Sequence, residues 1–411
     1  MENVSNQKGI DKATRTTSCD YQNYFKKTEK NKFELFFHLL LLIVFMFNIA
    51  QSRKIIDPSN INLNMTGNDY IYISDTSHGI MIYKLHPSTG DLRFIKKIKV
   101  DGQPGSLTVD PTHSYLYAAI RSTNSISSFR INSQNGDLIF INTLNIAMNP
   151  VYIKTDKTGK FLLAADNNKN KVCVFLIGKA GEVLSSNFQE ITTAYFPHSV
   201  QIDPANRFWY IPCRTGETIQ RNSFDSTTGI RSANSLDIAT PDSTGPRHLE
   251  FHPALNVIYC VNEFGRSVTV YRMDTLKRTL SAIQTLSLIP PNVARPKAPN
   301  KGGADIHLTP DNRFLYASNR DPDSIVAFSV DASSGMLTLI ARYSLEGTPR
   351  AFDIDPTGKF IFVGGQTSGK LTAFRIDTSN GNLIRLHTYD VGESLVWVLI
   401  VQIDAESPTK K

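Results

Sequence analysis

The sequence predicts an all-β fold, a seven-bladed β-propeller closed by pairing of its N- and C-terminal strands, on three observations. The first is a turn that recurs between apolar runs, at Asp110-Pro111, Asp156-Lys157, Asp203-Pro204, His252-Pro253, Thr309-Pro310 and Asp355-Pro356, with spacings of 46, 47, 49, 57 and 46 residues. The second is an aromatic-rich run after each turn, such as Tyr115-Leu116-Tyr117, Phe208-Trp209-Tyr210 and Phe314-Leu315-Tyr316. The third is a later glycine turn, Gly90-Asp91-Leu92, Gly136-Asp137-Leu138, Gly181-Glu182-Val183, Gly335-Met336-Leu337 and Gly381-Asn382-Leu383. A period near 45 residues with about four short strands per unit is that of a propeller blade, which must stack on its neighbours to cover both faces. A β-sandwich does not repeat at this period.

Taken in order, residues 1–34 are polar, the composition of a disordered leader. Residues 35–52 are apolar, preceded by Lys26, Lys27, Lys30 and Lys32 and followed by Ala50 and Ser52. That pattern fits a signal-peptide core or a short membrane anchor, with the basic side cytoplasmic and the following domain outside. Initiation at Met65 would instead give a leaderless cytoplasmic protein, and the residues leave both readings open. Membrane contact is expected only through 35–52. The repeat fills 65–405 as one domain. Tyr70–Ser74 and Gly79–Leu85 read as later strands of a blade without its first, and Leu395–Val401 as a first strand without a blade. Joined, they make the seventh and leave no long open edge.

The net charge of +7 is mild over this length, and no basic stripe interleaved with aromatics is present, so nucleic acid is not expected as a partner. Cys19, Cys173, Cys213 and Cys260 have neither metal-ligand spacing nor the density of a disulfide framework; the last three read as buried strand residues.

Candidate chemistry sits at strand ends, where a rigid all-β frame carries function. His198 follows Pro197, Arg247 and His248 follow Pro246, Arg350 follows Pro349, and Asp305 and His307 open another inner strand. These groups are expected to converge on one mouth of the central channel. Arg121 and Glu263 each follow an aromatic-bearing strand. The stretch 288–301 is proline-rich and basic, and Arg295, Lys297 and Lys301 would overhang the mouth and meet an anionic substrate.

Several motifs give the chain a resemblance to the seven-bladed propeller lactonases, which include bacterial 6-phosphogluconolactonases and fungal carboxymuconate-lactonizing enzymes. They are Pro197-His198-Ser199, Gly245-Pro246-Arg247-His248 with Phe251-His252-Pro253, Tyr259 to Glu263, Ala304 to His307 with Thr309-Pro310-Asp311, Asn319-Arg320 and Thr348-Pro349-Arg350. The resemblance runs from Met65 to Ile403 and implies a functional set of one histidine, two arginines and one glutamate, here His198, Arg247, Arg320 and Glu263. The implied reaction is hydrolysis of 6-phospho-D-glucono-1,5-lactone by a monomer without metal or cofactor. Asp305 with His307 makes too few ligands for a metal. Glu263 or His198 would be the base, with Glu263 preferred, and the arginine forks would take a phosphate or an oxyanion. His248, Asp305, His307, Arg350 and Arg121 would contact substrate. The alternatives are a muconate-lactonizing enzyme and a non-catalytic exported propeller that binds a partner.

Overall fold

The computed structural model describes residues 55–56 and 68–403, apart from 78, 230, 276–278, 294–300 and 346. The expectations for 1–34, 35–52, Met65, Cys19, Arg295 and Lys297 lie outside the described residues. Seven antiparallel sheets form the blades. Blade 1 joins Leu395–Gln402 to Asp69–Asp75, Gly79–Leu85 and Leu92–Ile98. The ring closes where Tyr70 pairs Val401 and Tyr72 pairs Leu399. Blades 2 to 7 follow in chain order, with innermost strands Pro104–Val109, Tyr152–Thr155, Gln201–Ile202, Pro246–Phe251, Gly303–Leu308 and Pro349–Ile354. Blade 7 carries an addition that the repeat did not indicate, Ile55–Ile56 paired in parallel with Thr388 and Tyr389.

The repeated turn is a side-chain cap. The Asp110, Asp156, Asp203 and Asp355 carboxylates accept the amides that open the next strand, from Tyr115, Phe161, Phe208 and Phe360. Thr309 Oγ1 does the same for Phe314, and His252 Nδ1 accepts from Ala254 and Leu255. The aromatics and the glycine turns lock neighbouring blades. Gly136 has φ 69°, and a Cβ there would lie 2.4 Å from the Tyr70 ring of the preceding blade. Tyr72, Tyr259 and Tyr316 donate their hydroxyls to the carbonyls of Gly136, Gly335 and Gly381 on the following blades. Second strands such as Phe161–Asp166 are therefore buried along their whole length, while outer strands such as Leu92–Ile98 are partly exposed. Cys173, Cys213 and Cys260 are buried and free.

Candidate active site

The innermost strands of blades 2, 5, 6 and 7 start at one mouth of the channel with a bulge. In blade 5, Pro246 pairs Asn262 and His248 pairs Val261, so Arg247 is the extra residue; in blade 7, Pro349 pairs Gly365 and Ala351 pairs Gly364, so Arg350 is. A bulge re-aims one side chain without lengthening the partner strand. It lets residues three apart, which point to opposite faces of a regular strand, both line the channel. Arg247 lines a cavity of about 260 Å³ at the strand starts, with Arg121, Asn149, His198, Arg350 and Trp397. Glu250 lines one of about 520 Å³ at the other end, with Lys154, Gln201, His307 and Asp353. Tyr152, His248 and Trp397 pack edge to face or tilted between the two, with ring centroids 5.4 to 6.1 Å apart.

Around the smaller cavity, second-strand ends supply the charge. Glu263 is 1% exposed and holds the cluster together. Arg214 Nη1 donates to its Oε1 at 2.6 Å. Arg320 Nη2 lies 3.0 Å from Oε1 and Arg247 Nε 3.2 Å from Oε2, close ion pairs without the alignment of a hydrogen bond. Burial opposes ionisation of Glu263, but the charges of Arg320, Arg247 and Arg214 outweigh it and hold the carboxyl below its ordinary range. The arginines are steered in turn. Arg247 Nη1 donates to the Ala304 carbonyl, Arg320 Nε to the Gly302 carbonyl, and the Arg214 guanidinium stacks 3.9 Å from the Phe196 ring. Phe196 takes φ 63° to place it there, its amide donating to Asn170 Oδ1 and its carbonyl accepting from the Arg214 amide.

His198 is buried, and its Nδ1 has no partner among the described residues. Burial, then the charges of Arg247 and its neighbours, push its pKa well below that of an ordinary histidine, so it is neutral at pH 7. His248 sits deeper, its Nδ1 2.8 Å from Asp305 Oδ1 and its Nε2 3.2 Å from Arg247 Nη1. Asp305 Oδ2 lies 3.4 Å from His307 Nε2.

The expected convergence on one mouth holds for His198, Arg247, Arg350 and Arg121, with Glu263 and Arg320 packed behind them. It does not hold for Asp305 and His307, which line the opposite cavity. The reason is the bulge in blade 6, where Gly303 pairs Asn319 but Ile306 pairs Ala317. His248 lies between the ends, in the aromatic layer. Lys301 is exposed and lines neither cavity. Arg214 and Asn149 were not singled out from the sequence. A signal for Arg214 existed, because it stands where Arg121, Glu263 and Arg320 stand, each with its amide bonded to a carbonyl of the segment that leads into an innermost strand.

Residues 58–400 match the family model described as "Lactonase, 7-bladed beta-propeller". The chain belongs to this family. This propeller lactonase is 32% identical over 332 residues to the 6-phosphogluconolactonase of Yersinia enterocolitica, an alignment covering 80% of this chain and 98% of that enzyme. It is 31% identical over 331 residues to the 6-phosphogluconolactonase of Yersinia pestis, covering 80% and 97%. Among solved structures, the periplasmic gluconolactonase PpgL of Pseudomonas aeruginosa shares the fold at a TM-score of 0.73 and 24% identity, covering 82% of this propeller lactonase and 100% of that protein.

Proposed function

We propose that this chain hydrolyses 6-phospho-D-glucono-1,5-lactone to 6-phosphogluconate, with the reaction carried by the propeller domain, residues 65–405. The activity named for the Yersinia relatives supports this reading, as does a cavity where a neutral histidine, its Nδ1 without a partner among the described residues, stands beside an arginine. In this mechanism His198 accepts a proton from water as the water oxygen attacks the lactone carbonyl carbon. Arg247 spends Nε on Glu263 and Nη1 on Ala304 and His248, and its remaining Nη2 faces the developing oxyanion. Collapse of the tetrahedral intermediate breaks the bond to the ring oxygen, which takes the proton back from His198. The low basicity of His198 makes its protonated form a strong acid for that second step. Glu263, with both oxygens among three guanidiniums, is a poor proton acceptor. Its part is to position Arg247 and Arg320, and the base role expected for it passes to His198.

The test uses freshly generated lactone with the wild-type protein and a His198→Gln variant. Hydrolysis well above the spontaneous rate, lost in a folded variant, is the expected result. A folded wild-type protein with no rate above background would sink the reading.

A further inference from the structure

Charge at the catalytic mouth is not balanced. Five guanidiniums gather there, those of Arg121, Arg214, Arg247, Arg320 and Arg350. Glu263 takes up Arg214, Arg247 and Arg320. The two that remain lie on blades 2 and 7, across the channel from His198 on blade 4 and Arg247 on blade 5. Arg121 has its Nε on the neutral Asn149 side chain at 3.0 Å, and Asn149 is held by its own amide on Asp166 Oδ2 at 2.8 Å. Arg350, half-buried, makes no hydrogen bond or ion pair among the described residues. Burial, then the charges of Arg320 and Arg121, push its pKa down to about 10, which still leaves it charged at pH 7. The Asp166 carboxylate behind Asn149 offsets part of the Arg121 charge through space but makes no ion pair with it among the described residues. Cations crowded together with so little counter-charge are costly unless a ligand brings one. A phosphomonoester carries nearly two negative charges at neutral pH and presents three acceptor oxygens to planar forks.

We propose that Arg121 and Arg350 form a phosphate clamp that orients the lactone carbonyl toward His198 and Arg247 and selects the phosphorylated lactone over the unphosphorylated one. The proposal rests on the lactonase reading and assigns the substrate class at the same site. In it the phosphate lies between blades 2 and 7 and the ring spans the channel. Asn149 keeps the Arg121 fork turned to the cavity, and the bulge at Arg350 turns that side chain inward.

The experiment compares kcat/KM for 6-phosphoglucono-1,5-lactone and for glucono-1,5-lactone in the wild type, Arg121→Met, Arg350→Met and Arg350→Lys. On the phosphorylated lactone each Met variant is expected to lose roughly 10- to 100-fold, mainly through KM, from removal of a charged hydrogen-bond donor. On the unphosphorylated lactone the change should stay within about 3-fold. Arg350→Lys should recover part of the loss, and inorganic phosphate should compete in the wild type but not in Arg350→Met. The melting temperature of Arg350→Met should not fall, because the lost charge had no partner in the protein. Equal losses on both lactones, or unchanged selectivity in every variant, would overturn the clamp. If the wild type hydrolyses neither lactone, the lactonase reading fails separately. Calorimetric titration with inorganic phosphate then decides the clamp: binding lost in Arg350→Met supports it, and equal or absent binding overturns it.

Discussion

At one end of the channel the inner strands of blades 4, 5 and 7 present His198, Arg247 and Arg350; three residues further along, the same strands present Gln201, Glu250 and Asp353 at the other end. The backbone frame is shared, but the electrostatics differ in kind. At the far end Lys154 and His307 face Glu250 and Asp353, and the cavity is the larger of the two. At the near end guanidiniums outnumber carboxylates, and one histidine nitrogen is left without a partner. Cavity size is therefore a poor guide to the chemistry here. Uncompensated charge and a buried histidine nitrogen without a partner, both of which cost folding energy, distinguish the end that the proposed reaction uses.

Removing Glu263 breaks this comparison most severely. Glu263→Gln strands the buried Arg247 and Arg320 and the partly buried Arg214, so a loss of about 3–5 kcal/mol in denaturant unfolding is expected, together with loss of lactone hydrolysis. Stability within about 1 kcal/mol of wild type would mean that the cluster is not an anchor. His198→Gln comes next and separates chemistry from folding: a fall in kcat of about 10²- to 10⁴-fold with an unchanged melt. Because the pKa of His198 is depressed, wild-type kcat/KM should stay flat from neutral pH to below about 6.5, the ordinary histidine value, and fall only in more acid solution. A decline that begins above that value would point to another base.

A smaller effect tests the frame that both ends share. Gly136→Ala sets a Cβ against the Tyr70 ring at a positive φ, and should cost about 1–3 kcal/mol while activity per folded molecule is unchanged. The smallest effect belongs to the far end. Burial opposes the charge on His307, but the charge and hydrogen bond of Asp305 outweigh it and raise its pKa to about 9. A folded pKa above the unfolded one means that its stabilisation is full below about pH 6.5 and fades as pH rises through 9. His307→Gln should remove that dependence of the melting temperature between pH 6 and 9.5 and leave kcat/KM within about 3-fold. A large loss of activity would show that the two ends act together.

Local chemistry made the ring legible. The turn aspartates must cap the next strand, and the glycine turns must admit a neighbour's aromatic, so both recur at blade spacing and can be counted in the chain. The closure of the ring by Leu395–Gln402 on Asp69–Asp75 follows from the same count. The residue types around the smaller cavity were partly legible, since His198, Arg247 and Glu263 each stand at a strand end, whereas Arg320 entered only through the family motif Asn319-Arg320. Which of them touch, and which mouth each one faces, depended on register. A single bulged residue sends Arg247 to one cavity and Glu250 to the other, and such a bulge is set by pairing with the neighbouring strand, not by the strand's own residues. Arg214 reaches Glu263 from a residue 49 positions away in sequence, a contact that exists only once blades 4 and 5 stack. Composition and spacing thus determined the propeller and its candidate charges, because those are properties of each repeat. Tertiary structure decided the contacts: stacking gathered three arginines on Glu263 and left His198 Nδ1 buried without a partner among the described residues.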